Sequence, residues 1–189
     1  MDTVWVLGDQ LNRRSGALAH AQPDATTVLM VESAAKIRSK PFHRQRVHLI
    51  ITAMRRFAIE LEDEGFSVDY RVEADLRAGF AGHVEDHTPG RVLAAEPASR
   101  TARALMRSLG VEFIRDDRFL CHHSDFAAWA GSRTRLRLED FYRWQRRRLG
   151  YLMDGDAPAG GRWNFDQDNR QPPPPGGGQW VTPPQSRLD

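Results

Sequence analysis

Residues 26–31, TTVLMV, form an unbroken apolar run of strand length, entered from Pro23 and Asp24 and leading into Glu32 and Ser33. A strand with one wet face alternates polar and apolar residues. A run without alternation fits a strand covered on both faces, as in a parallel sheet wrapped by helices. Upstream, Val4, Val6 and Leu7 give a second buried strand that stops at Gly8. Downstream, Val47, Ile50, Ile51, Met54, Phe57, Ala58 and Leu61 recur at steps of three and four, predicting a helix over about 43–64 that ends at Gly65. Residues 66–72 read as a third strand, and Leu76, Phe80 and Val84 as a shorter helix closed by a turn at Thr88, Pro89 and Gly90. Residues 91–95 read as a fourth strand. Ser99 caps a helix carrying Ala102, Leu105, Met106 and Leu109, and residues 111–114 form a fifth strand. The sequence from there to about Leu138 reads as irregular, and a last helix covers about 139–149.

Five apolar strands alternating with helices predict an α/β fold: a five-stranded, parallel, doubly wound (Rossmann-like) sheet with helices on both faces. An irregular Pro/Gly-rich tail follows. The expected organisation is an α/β domain over 1–153 and a linker-like segment and tail over 154–189, where PPPPGGG at 172–178 cannot form a packed element. Small ligands of such sheets bind outside the carboxyl ends of the strands. That directs attention to Gly8-Asp9-Gln10, Glu32-Ser33 and Glu96.

The 189 residues hold 27 Lys and Arg against 25 Asp and Glu, a formal net charge of +2, and a single cysteine, Cys121. One cysteine excludes a disulfide scaffold, a four-cysteine zinc site and an iron–sulfur cluster made by these residues alone. No apolar run reaches the roughly 18 residues of a membrane helix. The first residues lack the basic start and apolar stretch of a signal peptide, so a soluble, cytoplasmic protein is expected. All fixed cations but Lys36 and Lys40 are arginine. Arginine suits phosphate and carboxylate partners, although the same bias arises from the base composition of coding DNA.

Common nucleotide and hydrolase motifs are missing: GDQLNRRSG follows the first strand in place of GxGxxG, and there is no Walker A loop, no GxSxG and no HExxH. CHHSD at 121–125 has metal-donor atoms, but four donors in five residues do not readily face one ion, and a loop packed on the sheet is the simpler reading. Gly8 lets backbone approach a planar ligand whose polar edges Asp9 and Gln10 would read; equally, the three make a turn capping the next element. The last helix interleaves Arg143, Arg146, Arg147 and Arg148 with Tyr142 and Trp144, a pattern that can grip a nucleic-acid backbone. The spacing of Phe141, Trp144 and Leu149 favours an amphipathic helix with its aromatics inward. GGRWNFDQDNR at 160–170 is too rich in aromatic and amide side chains for a plain linker and reads as a loop that docks on a neighbouring surface.

In combination, VWVLGDQL, ITAMRRFAIELEDEGFSVDY, DRFLCHHSDFAAWA and the GG-x-WNFD-x-x-NRQP ending resemble one family. It is the deoxyribodipyrimidine photolyase-related branch of the photolyase/cryptochrome superfamily, the bacterial (6-4) photolyases and iron–sulfur cryptochromes. The resemblance covers about residues 3–172. It implies light-dependent DNA repair or blue-light sensing by a whole protein in which an α/β antenna domain precedes a larger helical domain. That helical domain binds FAD, carries a 4Fe–4S cluster and presents the lesion site. The present residues hold neither set of ligands, so they are expected to be inactive alone, a truncated form with no catalytic residues and with weak or no DNA contact. The expected partner is the FAD-binding helical domain, with self-association where its apolar seat is exposed.

The resemblance further implies a site for 6,7-dimethyl-8-ribityllumazine made by Gly8, Asp9, Gln10, Glu32, Lys36 in the following loop, and Ile50 on the helix wall. It also implies a domain-docking segment of Trp163, Asn164, Phe165, Asp166, Asn169 and Arg170. Relatives that hold the lumazine tend to be acidic where Lys36 stands. A lost charge-assisted hydrogen bond costs roughly 1.5–3 kcal/mol, tenfold or more in affinity. A pocket that is empty or takes another ligand is therefore expected. The alternatives are an interaction module for a separately encoded helical flavoprotein and a generic nucleotide-binding α/β protein.

Overall fold

The computed structural model describes residues 1–131, 133–170, 172 and 175–176, with the side chains of 168 and 169 excepted. The chain divides into two compact units, Met1–Asp125 and Phe126–Asp189.

The first unit is built on a parallel sheet of β1 (Asp2–Val6), β2 (Thr26–Ser33), β3 (Ser67–Glu73), β4 (Val92–Ala95) and β5 (Glu112–Ile114), in the order β3-β2-β1-β4-β5. A short 3-10 helix, Gly16–His20, lies between β1 and β2, and helices α1 (Ala34–Arg38), α2 (Arg44–Asp63), α3 (Leu76–His87) and α4 (Arg100–Ser108) make the other connections. The fold class and all five strands are those read from the sequence. β2 is buried along its full length, and its side chains divide between two cores. Val28 and Met30 face Met54, Phe57 and Leu61 of α2, whereas Leu29 and Val31 join Trp5, Ala94 and Met106 on the other face. The unalternating TTVLMV is the direct outcome of these two covers. The three large α2 side chains each contribute roughly 1.5–3 kcal/mol on burial.

Local signals set the boundaries. Ser99 accepts from the Ala102 amide at 3.4 Å and Asp75 from the Ala78 amide at 2.8 Å, starting α4 and α3. Gly65, with φ +91°, takes the left-handed turn after α2. Gly79 brings α3 against the sheet: a Cβ there would lie 2.6 Å from Val31 Cγ1. Two expectations are corrected. Lys36 is not in a loop but in α1, because Ser33 accepts from its amide at 3.1 Å and nucleates a helical turn. The stretch expected to be irregular contains α5 (His123–Ala130).

In the second unit, α6 (Leu138–Leu149) is followed by a hairpin of β6 (Met153–Asp154) and β7 (Ala157–Pro158) and by α7 (Asp166–Asn169). Phe126, Trp129, Phe141 and Trp144 form its aromatic core, with ring centroids 5.1–6.0 Å apart across the cluster. Most of the Pro/Gly-rich tail lies outside the described residues. No described helix is long and apolar enough to cross a membrane.

Candidate functional site

β1 leaves the sheet at Gly8, directly beneath α2. A Cβ on Gly8 would stand 2.9 Å from Met54 Sδ and 3.4 Å from Ile50 Cγ2, so glycine permits the approach. Gly8 and Ile50 thus come together. Val6 pairs with Met30, and Gly8 and Glu32 each stand two residues beyond that pair. Asp9 is exposed, and its carbonyl accepts from Arg118. Arg118 also holds Asp116 at 2.7 Å, and that bond keeps the Asp116 carboxyl below its ordinary pKa although burial opposes it. Gln10 turns inward: it is buried, and its Nε2 donates to the Ala95 carbonyl at 3.0 Å, joining the end of β1 to the end of β4.

Glu32 is buried with both oxygens engaged. Oε1 accepts from Arg55 Nε at 2.6 Å and from the Tyr70 hydroxyl at 2.5 Å, and Oε2 accepts from Arg55 NH2 at 3.1 Å. Burial alone would raise the carboxyl's pKa, but these donors outweigh it and hold it low. The Tyr70 phenol is pushed up, by burial and then by the carboxylate it serves. Lys36 is exposed on α1.

Beside this edge lies an open cleft of about 500 Å³ between the end of α1 and the start of α2. Ile37, Phe42, Val47 and Ile51 give it apolar walls, and Lys40 and Arg44 give it cationic ones. Of the inferred lumazine residues none lines it; Ile51 is one step from Ile50. A sequence sign existed: no Asp or Glu occurs from 33 to 59, against seven Lys and Arg.

In the second unit the WNFD segment contacts α6. Trp163 lies under a row of arginines, with Arg147, Arg146 and Arg143 at 4.6, 5.3 and 5.6 Å from its ring centroid. Asn164 Nδ2 donates to Glu139 at 3.3 Å. Phe165 is largely exposed under Arg162, and Asp166 pairs with Arg170 at 3.8 Å. Asn169 is in α7, but its side chain lies outside the described residues. Arg146 is buried, although a helix with its aromatics inward would turn its arginines outward. It donates to the Tyr142 hydroxyl at 3.1 Å and to the carbonyls of Trp163 at 2.9 Å, Tyr151 at 3.3 Å and Leu152. Arg143 does pair with Glu139, at 2.9 Å.

Sequence reasoning missed two histidine–carboxylate clusters, Asp69–His83–His87 and Glu96–His122–His123. In the first, His83 is fully buried between Thr3 Oγ1 at 2.8 Å and Asp69 Oδ2 at 2.6 Å, and burial lowers its pKa against the pull of Asp69. The CHHSD segment splits: Asp125 pairs with Arg115, while His122 reaches Glu96 at the end of β4.

The fold and this edge define a doubly wound α/β protein whose polar groups gather at the carboxyl ends of β1, β2 and β4. Residues 4–189 match the family described as deoxyribodipyrimidine photo-lyase-related protein, and the chain belongs to that family. It is 40% identical over 181 residues to the (6-4) photolyase of Agrobacterium fabrum, a match covering 89% of this chain and 36% of that relative. The chain thus spans about a third of the length of the curated relative it matches.

Proposed function

We propose that these residues act as the α/β portion of a light-driven DNA-repair or blue-light-sensing protein, seating a helical portion that carries FAD and an iron–sulfur cluster. The observation that carries this reading is the match along residues 4–189 to a family in which the (6-4) photolyase relative is nearly three times as long. The flavin chemistry belongs to the helical portion, and no repair step is assigned to residues here. The decisive experiment is a sensitive photorepair assay on lesion-bearing DNA with the 189-residue chain. No turnover is expected without an added flavoprotein, and turnover by the chain alone refutes the reading.

The same proposal bears on an antenna pigment. Gly8 and Ile50 offer a close-packed wall, but the polar groups inferred to read a lumazine are engaged elsewhere: Glu32 with Arg55 and Tyr70, Gln10 with Ala95. These residues do not fit 6,7-dimethyl-8-ribityllumazine. Calorimetric titration should give no saturable binding in the micromolar range; tight binding would mean that Glu32 or Gln10 releases its partner. A second reading, a docking module for a separately produced helical flavoprotein, is favoured by the exposed Leu138, Leu152 and Phe165 of the second unit. Co-purification with such a flavoprotein supports it, and a chain that carries none through purification counts against it.

A further inference from the structure

We propose that Glu96, His122 and His123 form a binding site for a divalent transition-metal ion of the zinc class, at the carboxyl edge of the sheet. β4 ends at Ala95, so Glu96 is the first residue beyond it, next to the crevice between β1 and β4 where the strand order changes direction. Doubly wound sheets place their ligands at that crevice. His122 lies after β5 and His123 opens α5, and both imidazoles converge on one oxygen of Glu96. His122 Nε2 lies 2.7 Å and His123 Nδ1 3.7 Å from Glu96 Oε2, with ring centroids 4.0 Å apart. The three donor atoms fall within 4.8 Å of one another. Two imidazoles and a carboxylate make a donor set for zinc and its first-row neighbours, with at least one position left to solvent or substrate.

The surrounding groups suit that role. Arg103 Nε and Arg107 NH2 hold the other oxygen, Oε1, at 3.4 and 3.3 Å, so Oε2 is the one presented to the imidazoles. Ser124 Oγ stands 2.7 Å from His122 Nδ1. Without an ion the ring proton sits on Nε2 and is donated to Glu96; an ion at Nε2 shifts that proton to Nδ1, where the Ser124 hydroxyl accepts it, the orienting contact that ligating histidines use. The Ser124 amide, which donates to Nδ1 at 3.3 Å in the ion-free site, gives way to that proton. Glu96 and His122 are largely buried, whereas the His123 side chain is 54% exposed, which gives an ion an entry path. The two arginines favour an anionic fourth ligand, such as hydroxide or a carboxylate.

The other cluster lacks these properties. Arg71 Nε sits 2.7 Å from Asp69 Oδ2, the same oxygen that His83 and His87 face, and His83 is fully buried. The oxygen an ion would need is already taken by a fixed cation.

The test is calorimetric titration of the chelator-treated full chain with Zn²⁺, alongside Co²⁺ absorption as a report on coordination. A single saturable site is expected. His122→Gln and His123→Gln should each weaken it about tenfold or more, while His87→Gln should leave it unchanged. Zn²⁺ should raise the melting temperature of the parent chain but not of the two site variants. No saturable binding, or binding indifferent to both substitutions, overturns the proposal. If the variants melt early, histidine footprinting of the parent chain decides: Zn²⁺ protection of His122 and His123 supports the site, and its absence overturns it.

Discussion

Replacing Arg146 by lysine should release the hairpin and the WNFD segment from α6 while leaving the sheet intact. The guanidinium spreads its donors over the carbonyls of Tyr151, Leu152 and Trp163 and the Tyr142 hydroxyl. An ammonium is a point donor without that fork and can face only some of them. Hydrogen bonds to a charged group contribute roughly 1.5–3 kcal/mol each, and at least two are lost. The side chains of Tyr151 and Leu152 are mostly exposed, so their carbonyls recover part of this from water. The net cost is about 2 kcal/mol, roughly a thirtyfold rise in the local opening equilibrium. Hydrogen exchange reads this directly. The Ala159 amide donates at 2.9 Å to the same Leu152 carbonyl that Arg146 holds. Its exchange should accelerate by that factor, with amides of β1 and β2 unchanged. Unchanged Ala159 protection, or equal acceleration in the sheet, would refute the assignment of Arg146 as the fastening of this segment.

Three further outcomes are expected. Stability should fall as pH drops below about 6.5, the ordinary histidine value. His83 has a lowered folded pKa, so the unfolded chain binds its proton first and gains on the native state through that window. Asp69, also held low in the folded state, adds a second loss nearer pH 4, and chemical denaturation across pH 4–8 measures both. Gly79→Ala should destabilise despite a gain in helix propensity of about 1 kcal/mol, because its Cβ would meet Val31 at 2.6 Å and overpacking costs roughly 1–3 kcal/mol; a higher melting temperature would contradict that packing. Glu32→Gln should cost about 1–3 kcal/mol through the imperfect replacement of a buried acceptor of three bonds, and should bring the Tyr70 titration back toward the ordinary phenol range, visible in the ultraviolet.

The sheet was legible because burial on two faces writes itself into consecutive residues, as in TTVLMV, and because Gly65 and Ser99 mark helix ends by local chemistry. What stayed hidden depends on pairs far apart in the chain. Glu32 reads as a free ligand until Arg55 and Tyr70, 23 and 38 residues away, are seen to saturate it. CHHSD invites a local metal reading, yet the carboxylate facing its histidines is Glu96, 26 residues earlier than His122. The helix at His123–Ala130 escaped notice because eight residues give barely two turns of periodicity and the charges of 115–118 precede them. Arg146 looked like any surface arginine because its partners are main-chain carbonyls, which no side-chain pattern reveals.

The inward amide of Gln10 also bears on what the scaffold can receive. Sheets with this strand order usually keep a berth open between the first and fourth strands for a nucleotide's phosphates. Here a single side chain stoppers that berth by tying Ala95 to the loop after β1. A dinucleotide would have to evict the amide and strand a main-chain carbonyl. The architecture therefore keeps the frame while barring its customary tenant, and what remains beside the stopper, at Glu96, admits only a smaller guest.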